Sequence, residues 1–186
     1  MKWFPLRKSS LENLSVSMAG IKLGDRLLVV GCADPMLIAQ LAVKTGLTGQ
    51  AFAVDEEAKA VTAAAETALR EGALIETATV TWGALPLESE SFDVAIVRDV
   101  LPHLPADARS ACLAEVQRVL RPGGRCLVID GKGRQRTAAA GRSGTAAGDY
   151  AAPDGPAHVL LAHGFKAARI LAERDGLLFA EAVKPM

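Results

Sequence analysis

Gly31 and Asp55 are the residues of this chain whose types and spacing best suit chemistry. Each closes an apolar run, Arg26-Leu27-Leu28-Val29-Val30-Gly31 and Ala51-Phe52-Ala53-Val54-Asp55. A tight turn at a glycine brings backbone amides close to a ligand, and a carboxylate after the next strand accepts two hydrogen bonds from a vicinal diol. That is the layout by which open α/β proteins hold a nucleoside. The turn is irregular, because a glycine-rich loop would carry glycine where Ala33 and Pro35 stand.

Other side chains offer narrower chemistry. Arg98 and Asp99 follow the apolar run Phe92–Val97, at an edge where open α/β sheets bind ligands, although a plain Arg–Asp contact competes with that role. His103 offers an imidazole, a side chain suited to general-base work, against the commoner structural role of a lone histidine. Cys32, Cys112 and Cys126 show no metal-like spacing, so no metal site is expected. The last two sit among apolar residues, where cysteine behaves as a small hydrophobe. An odd count of this kind fits a reducing, cytoplasmic setting.

The elements that must position these residues follow a regular order. A helix over Leu11–Ile21 precedes the strand Arg26–Val30, and Asp34-Pro35 makes a good start for a helix running to Thr45-Gly46. The strand Gln50–Val54, the Ala-rich helix Glu56–Arg70 and the strands Thr77–Trp82 and Phe92–Val97 come next. A helix over Pro105–Leu120 is stopped by Arg121-Pro122-Gly123-Gly124, before the strand Cys126–Ile129. Alternating strands and helices imply a parallel sheet with right-handed crossovers. The runs Phe165–Leu171 and Leu177–Val183, with a turn at Asp175-Gly176, read as an antiparallel hairpin. Residues 131–157, rich in Gly, Ala and Arg, read as a flexible loop.

The 186 residues suit one domain, residues 23–186, preceded by a helical segment over 1–22. Twenty-one basic side chains balance 21 acidic ones, which gives no reason to expect nucleic acid as a partner. No run is long and apolar enough to span a bilayer, and no signal peptide is read at the N-terminus.

Several motifs in order carry a family resemblance: Val29-Val30-Gly31-Cys32, Ala53-Val54-Asp55, and Leu85-Pro86 followed by Ser91-Phe92-Asp93. They continue through Val100-Leu101-Pro102-His103-Leu104, Arg121-Pro122-Gly123-Gly124 and the hairpin after Gly164-Phe165. In this combination the chain resembles class I S-adenosylmethionine-dependent methyltransferases of the small-molecule, ubiquinone-type branch. The resemblance covers roughly Leu23 to Val183. It implies a Rossmann-like three-layer α/β sandwich whose mostly parallel seven-stranded sheet is closed by the antiparallel hairpin.

The resemblance also assigns roles. Gly31, Cys32, Ala33 and Asp34 would wrap the methionine part of S-adenosylmethionine, and Asp55 would grip the ribose. Glu56, Trp82, Gly83 and Arg98 complete the expected cofactor set. Trp82 replaces an acidic residue that would meet the adenine, and stacking there competes with core packing. His103 is the candidate base. The expected activity is methyl transfer to a small molecule. The alternative is an inactive relative that keeps the fold as a binding or scaffold module.

Overall fold

Runs without polar interruption, such as Arg26–Val30, suit strands covered on both faces, and that is how they lie in the computed structural model, which describes residues 14–131, 150 and 155–186. Strand β1 (Arg26–Val30) pairs in parallel with β2 (Gln50–Asp55) on one side and β4 (Phe92–Arg98) on the other. With β3 (Glu76–Thr79), β5 (Leu120–Gly131), β6 (Lys166–Arg174) and β7 (Leu177–Val183), the seven-stranded sheet has the order β3-β2-β1-β4-β5-β7-β6. The strands β5, β7 and β6 pair antiparallel, so the sheet closes with the hairpin expected from the sequence. Strand order reverses between β1 and β4, and in open α/β sheets the carboxyl ends of the strands at such a reversal are where a ligand crevice forms.

Side chains alternate across the strands and divide the core in two. Leu28 and Val30 join Cys112 and Val116 of α3 (Ala106–Val119) and Leu160 of α4 (Gly155–Ala162). Leu27 and Val29 face the other way, onto Leu37 and Leu41 of α1 (Pro35–Thr45) and Val61 and Ala64 of α2 (Ala58–Arg70). Residues 14–19 are also helical; the start of the helix expected from Leu11 lies outside the described residues.

Several boundaries differ from the sequence reading. The third strand stops at Thr79 rather than Trp82, because its ladder with β2 ends where Asp55 meets Thr79. The helix expected from Glu56 begins at Ala58, since the Asp55 carboxylate holds the Glu57 N–H at 2.9 Å and Glu57 stays extended. Arg121-Pro122-Gly123-Gly124 lies inside a strand: α3 passes directly into β5 at Leu120. Gly123 N–H bonds Lys184 O at 3.0 Å and Lys184 N–H bonds Gly124 O at 2.9 Å, which draws this stretch into pairing. Of the loop expected over 131–157, residues 132–149 and 151–154 lie outside the described residues; Tyr150 is buried and Gly155–Ala162 is helical.

Candidate active site

Gly31 leaves β1 with φ +100°, a conformation that favours glycine, and a Cβ there would stand 2.3 Å from Arg98 O. The chain can therefore turn here, tight against the end of β4, only without a side chain. Its N–H donates to Val54 O at 2.8 Å. The next amide, Cys32 N–H, donates to Asp55 Oδ2 at 2.7 Å. Asp55 is 1% exposed, and with Glu57 N–H on Oδ1 both of its oxygens take backbone amides. Ala33 is exposed on the rim, while Asp34 Oδ1 accepts Leu37 N–H at 3.2 Å and starts α1 with Pro35 in its first turn. The departures from a glycine-rich loop thus build a well-capped helix start.

The remaining expected residues divide. Glu56 is exposed beside Asp55, and its Oε1 receives Trp82 N–H at 3.4 Å. Trp82 itself is buried in the α3-side core, so its ring packs there. Gly83 is exposed next to Ala111, and His103 is exposed on the 3-10 turn Leu101–His103. Arg98 is buried, donating to Ile129 O at 3.1 Å and pairing with Asp99 Oδ2 at 2.6 Å. The plain Arg–Asp contact therefore forms, and it forms at the crevice. Asp99 adopts φ +50° there, and its Oδ1 accepts Gly131 N–H at 2.5 Å.

None of the cysteines supplies a nucleophile. Burial pushes the Cys32, Cys112 and Cys126 thiols up to about 12, helped at Cys32 by the charge of Asp55.

The structure adds a polar cluster that the motifs did not point to. Asp130, near the carboxyl end of β5, accepts the Tyr150 hydroxyl on Oδ2, while its Oδ1 is buried without a partner. The Arg109 guanidinium lies 4.7 Å from the centre of the Tyr150 ring. It is anchored by Nε to Leu101 O at 3.0 Å and by Nη2 to Leu104 O at 2.9 Å. Burial raises the Asp130 carboxyl to about 7, with a smaller push from Asp99; the Tyr150 hydrogen bond, Arg98 and Arg109 oppose it. Burial and Asp130 also push the Tyr150 hydroxyl up, so it remains a donor. Two signals stood in the sequence: Asp130 ends an apolar strand as Asp55 does, and Tyr150 is the only tyrosine.

A cavity of about 350 Å³ opens at the opposite edge of the sheet, lined by Lys22, Asp25, Asp93, Arg121 and Arg125 among others. Both of its arginines are paired, Arg121 with Asp93 at 2.5 Å and Arg125 with Glu181 at 3.4 Å, and Asp25 accepts the backbone N–H of Lys22 at 2.8 Å. It lies at the amino ends of β1 and β4, away from Gly31 and Asp55. Among the described residues, no His, Cys, Asp and Glu group could hold a metal ion, and no helix is long and apolar enough to cross a membrane.

Residues 28–128 match the family described as "Methyltransferase domain". The ubiquinone/menaquinone biosynthesis C-methyltransferase of Chromobacterium violaceum is 25% identical over 119 residues, 64% of this chain and 48% of that protein. The 2-phytyl-1,4-naphtoquinone methyltransferase of Trichormus variabilis is 28% identical over 134 residues, 69% of this chain and 56% of that protein. The chain thus spans about half the length of the curated relatives it matches. Among solved structures, a SAM dependent methyltransferase from Aquifex aeolicus superposes with TM-score 0.74 at 19% identity, covering 98% of this chain and 100% of its own. The cyclase SpnF superposes with TM-score 0.70 at 18% identity, covering 95% of this chain and 80% of its own. A shared fold therefore accommodates more than one reaction.

Proposed function

The chain belongs to the methyltransferase-domain family, and from that premise we propose that it transfers a methyl group from S-adenosylmethionine to a small molecule. One observation carries the reading. The turn at Gly31 and the carboxylate at Asp55 end adjacent parallel strands and are tied together by the Cys32 N–H, 2.7 Å from Asp55 Oδ2.

The residues present fit the nucleoside part of such a cofactor. Each Asp55 oxygen uses one acceptor direction on a backbone amide and keeps another, which is what a ribose diol requires. Gly31, Cys32, Ala33 and Asp34 would line the methionine side, with Glu56 and Gly83 around the rim and the buried Arg98 beneath, at the end of β4. When bound, the cofactor supplies a methyl group on a sulfonium, already a strong electrophile. The protein then needs chiefly to align the acceptor and exclude water. Arg98, Asp99 and the turn after β4 stand where that alignment would be made, and His103 is the candidate base at its outer side.

The names of the quinone-ring relatives support an aromatic or lipid-like acceptor for this chain. Balanced charge supports a small-molecule partner over nucleic acid, and the free cysteines support a cytoplasmic setting. A second reading, a binding or scaffold module without turnover, draws on the burial of Asp55 and the engagement of both its oxygens.

Calorimetric titration with S-adenosylmethionine decides between them. Saturable binding is expected, weakened at least tenfold in Asp55→Ala. No heat at millimolar cofactor overturns the transfer reading and leaves the scaffold reading.

A further inference from the structure

We propose that Asp130 and Arg109 form a niche for a phenolic ring of the methyl acceptor, and that the chain's own Tyr150 holds the acceptor's place in it. The proposal rests on the methyltransferase reading and names the substrate class, an aromatic ring bearing a hydroxyl group.

The groups around Tyr150 are those that a phenol requires. A carboxylate oxygen, Asp130 Oδ2, receives the hydroxyl proton, and a guanidinium covers the ring at 4.7 Å. A cation over an aromatic face is an attraction that grows as water is removed. Arg109 is held by the Leu101 and Leu104 carbonyls, so its plane is set before any ring arrives. The wall is apolar: Tyr150 shares its cluster with Leu101, Val128 and Leu160.

The niche also holds more polar capacity than Tyr150 uses. Asp130 is 6% exposed, yet its Oδ1 has no partner, and Arg98, also 6% exposed, has an unpartnered Nε. A buried carboxylate oxygen left unsatisfied is unfavourable, and a tyrosine serving packing alone would not need one. A ring with a hydroxyl group and a second oxygen substituent would offer both a donor and an acceptor where Tyr150 offers one hydroxyl.

Location links the niche to the proposed cofactor site. Gly131 N–H bonds Asp99, Asp99 pairs with Arg98, and the Arg98 carbonyl lies against Gly31. Binding requires no proton transfer, because the ligand hydroxyl donates and keeps its proton. Ligand and Tyr150 compete for the same carboxylate.

The test uses 1-naphthol as a fluorescent probe and naphthalene as the ring without a hydroxyl, at pH 8, with S-adenosylmethionine titrated into the same preparations. Naphthol affinity is expected to rise in the order wild type, Tyr150→Phe, Tyr150→Ala, by at least tenfold overall. Asp130→Asn should weaken naphthol at least fivefold and leave naphthalene unchanged. Tyr150→Phe keeps the ring and so remains informative where Tyr150→Ala fails to fold. Equal binding of naphthol and naphthalene would reduce the niche to a hole left by truncation and overturn the proposal. So would wild type and Tyr150→Phe both failing to bind naphthol. If cofactor binding persists in either case, the niche alone falls; if cofactor binding is absent too, the methyltransferase reading falls with it.

Discussion

Asp55 Oδ2 lies 2.7 Å from the backbone nitrogen of Cys32, and this bond fastens the turn after β1 to the end of β2. Asp55→Ala would leave that amide and the Glu57 amide without their acceptor. Loss of a buried hydrogen-bond partner of this kind costs roughly 1–3 kcal/mol. Urea unfolding should therefore show Asp55→Ala about 2–3 kcal/mol less stable, with Asp55→Asn losing less because one carbonyl oxygen remains. No change in midpoint would mean that the turn stands without the carboxylate.

Gly31 and Gly72 separate conformational strain from steric clash. Both have positive φ, +100° and +71°, but a Cβ meets Arg98 O at 2.3 Å at the first and nothing within 4 Å at the second. Gly72→Ala is expected to lower stability by about 1–2 kcal/mol, the ordinary penalty of the left-handed region. Gly31→Ala should lose more than about 4 kcal/mol or fail to fold. Thermal melts of both variants check this; equal losses would contradict the close approach of the β4 loop.

Asp130 gives stability a pH dependence of definite sign. Its folded-state pKa, about 7, stands above the ordinary carboxyl value of 3.8, so between those values the folded chain holds a proton that the unfolded chain has lost. Its contribution is fully present below about pH 4 and is lost as pH rises through 7. Asp130→Asn should flatten this decline, gaining on wild type by a few kcal/mol between pH 4 and 8. Denaturant midpoints at closely spaced pH values would show it, and parallel curves for the two proteins would refute the burial argument.

Arg118 organises the segment between β3 and β4. Its Nη1 bonds Leu87 O at 2.9 Å and its Nη2 bonds Leu85 O at 3.0 Å, while its partner Glu115 takes Leu85 N–H at 2.8 Å. The hydrogen bond from Arg118 and the smaller one from Leu85 hold the Glu115 carboxyl below its usual range. Arg118→Met should speed amide exchange at Leu85 and Leu87 by tenfold or more, with little change at the β1 amides. Unchanged exchange at Leu85 would show that Glu115 fixes the segment by itself.

The sequence made the parallel strands legible because Leu27–Val30 and Val94–Val97 are apolar runs buried on both faces. The start of α1 was legible for a local reason: a cap and a proline act within one turn. Trp82 was ambiguous because stacking and packing ask for the same side chain, and only the turn Thr81–Ala84 carries it inward. The Arg109, Asp130 and Tyr150 cluster was missed because its members come from α3, β5 and a position beyond both. Spacing along the chain says nothing about such a meeting. The helix stop before Arg121-Pro122-Gly123-Gly124 was legible, and α3 ends at Val119; the strand begins at Leu120 rather than Cys126 because pairing with Lys184 draws those residues in.

The direct passage from α3 into β5 at Leu120 has a mechanical consequence. Arg109 and Asp130 ride on two arms of one continuous piece of chain, with no linker between Val119 and Leu120 to absorb movement. The bend at Leu120 therefore helps set the spacing between the Arg109 guanidinium and Asp130, the two groups that bracket Tyr150. An insertion at residues 120–124 is expected to shift Arg109 relative to Asp130 without altering either residue that touches Tyr150.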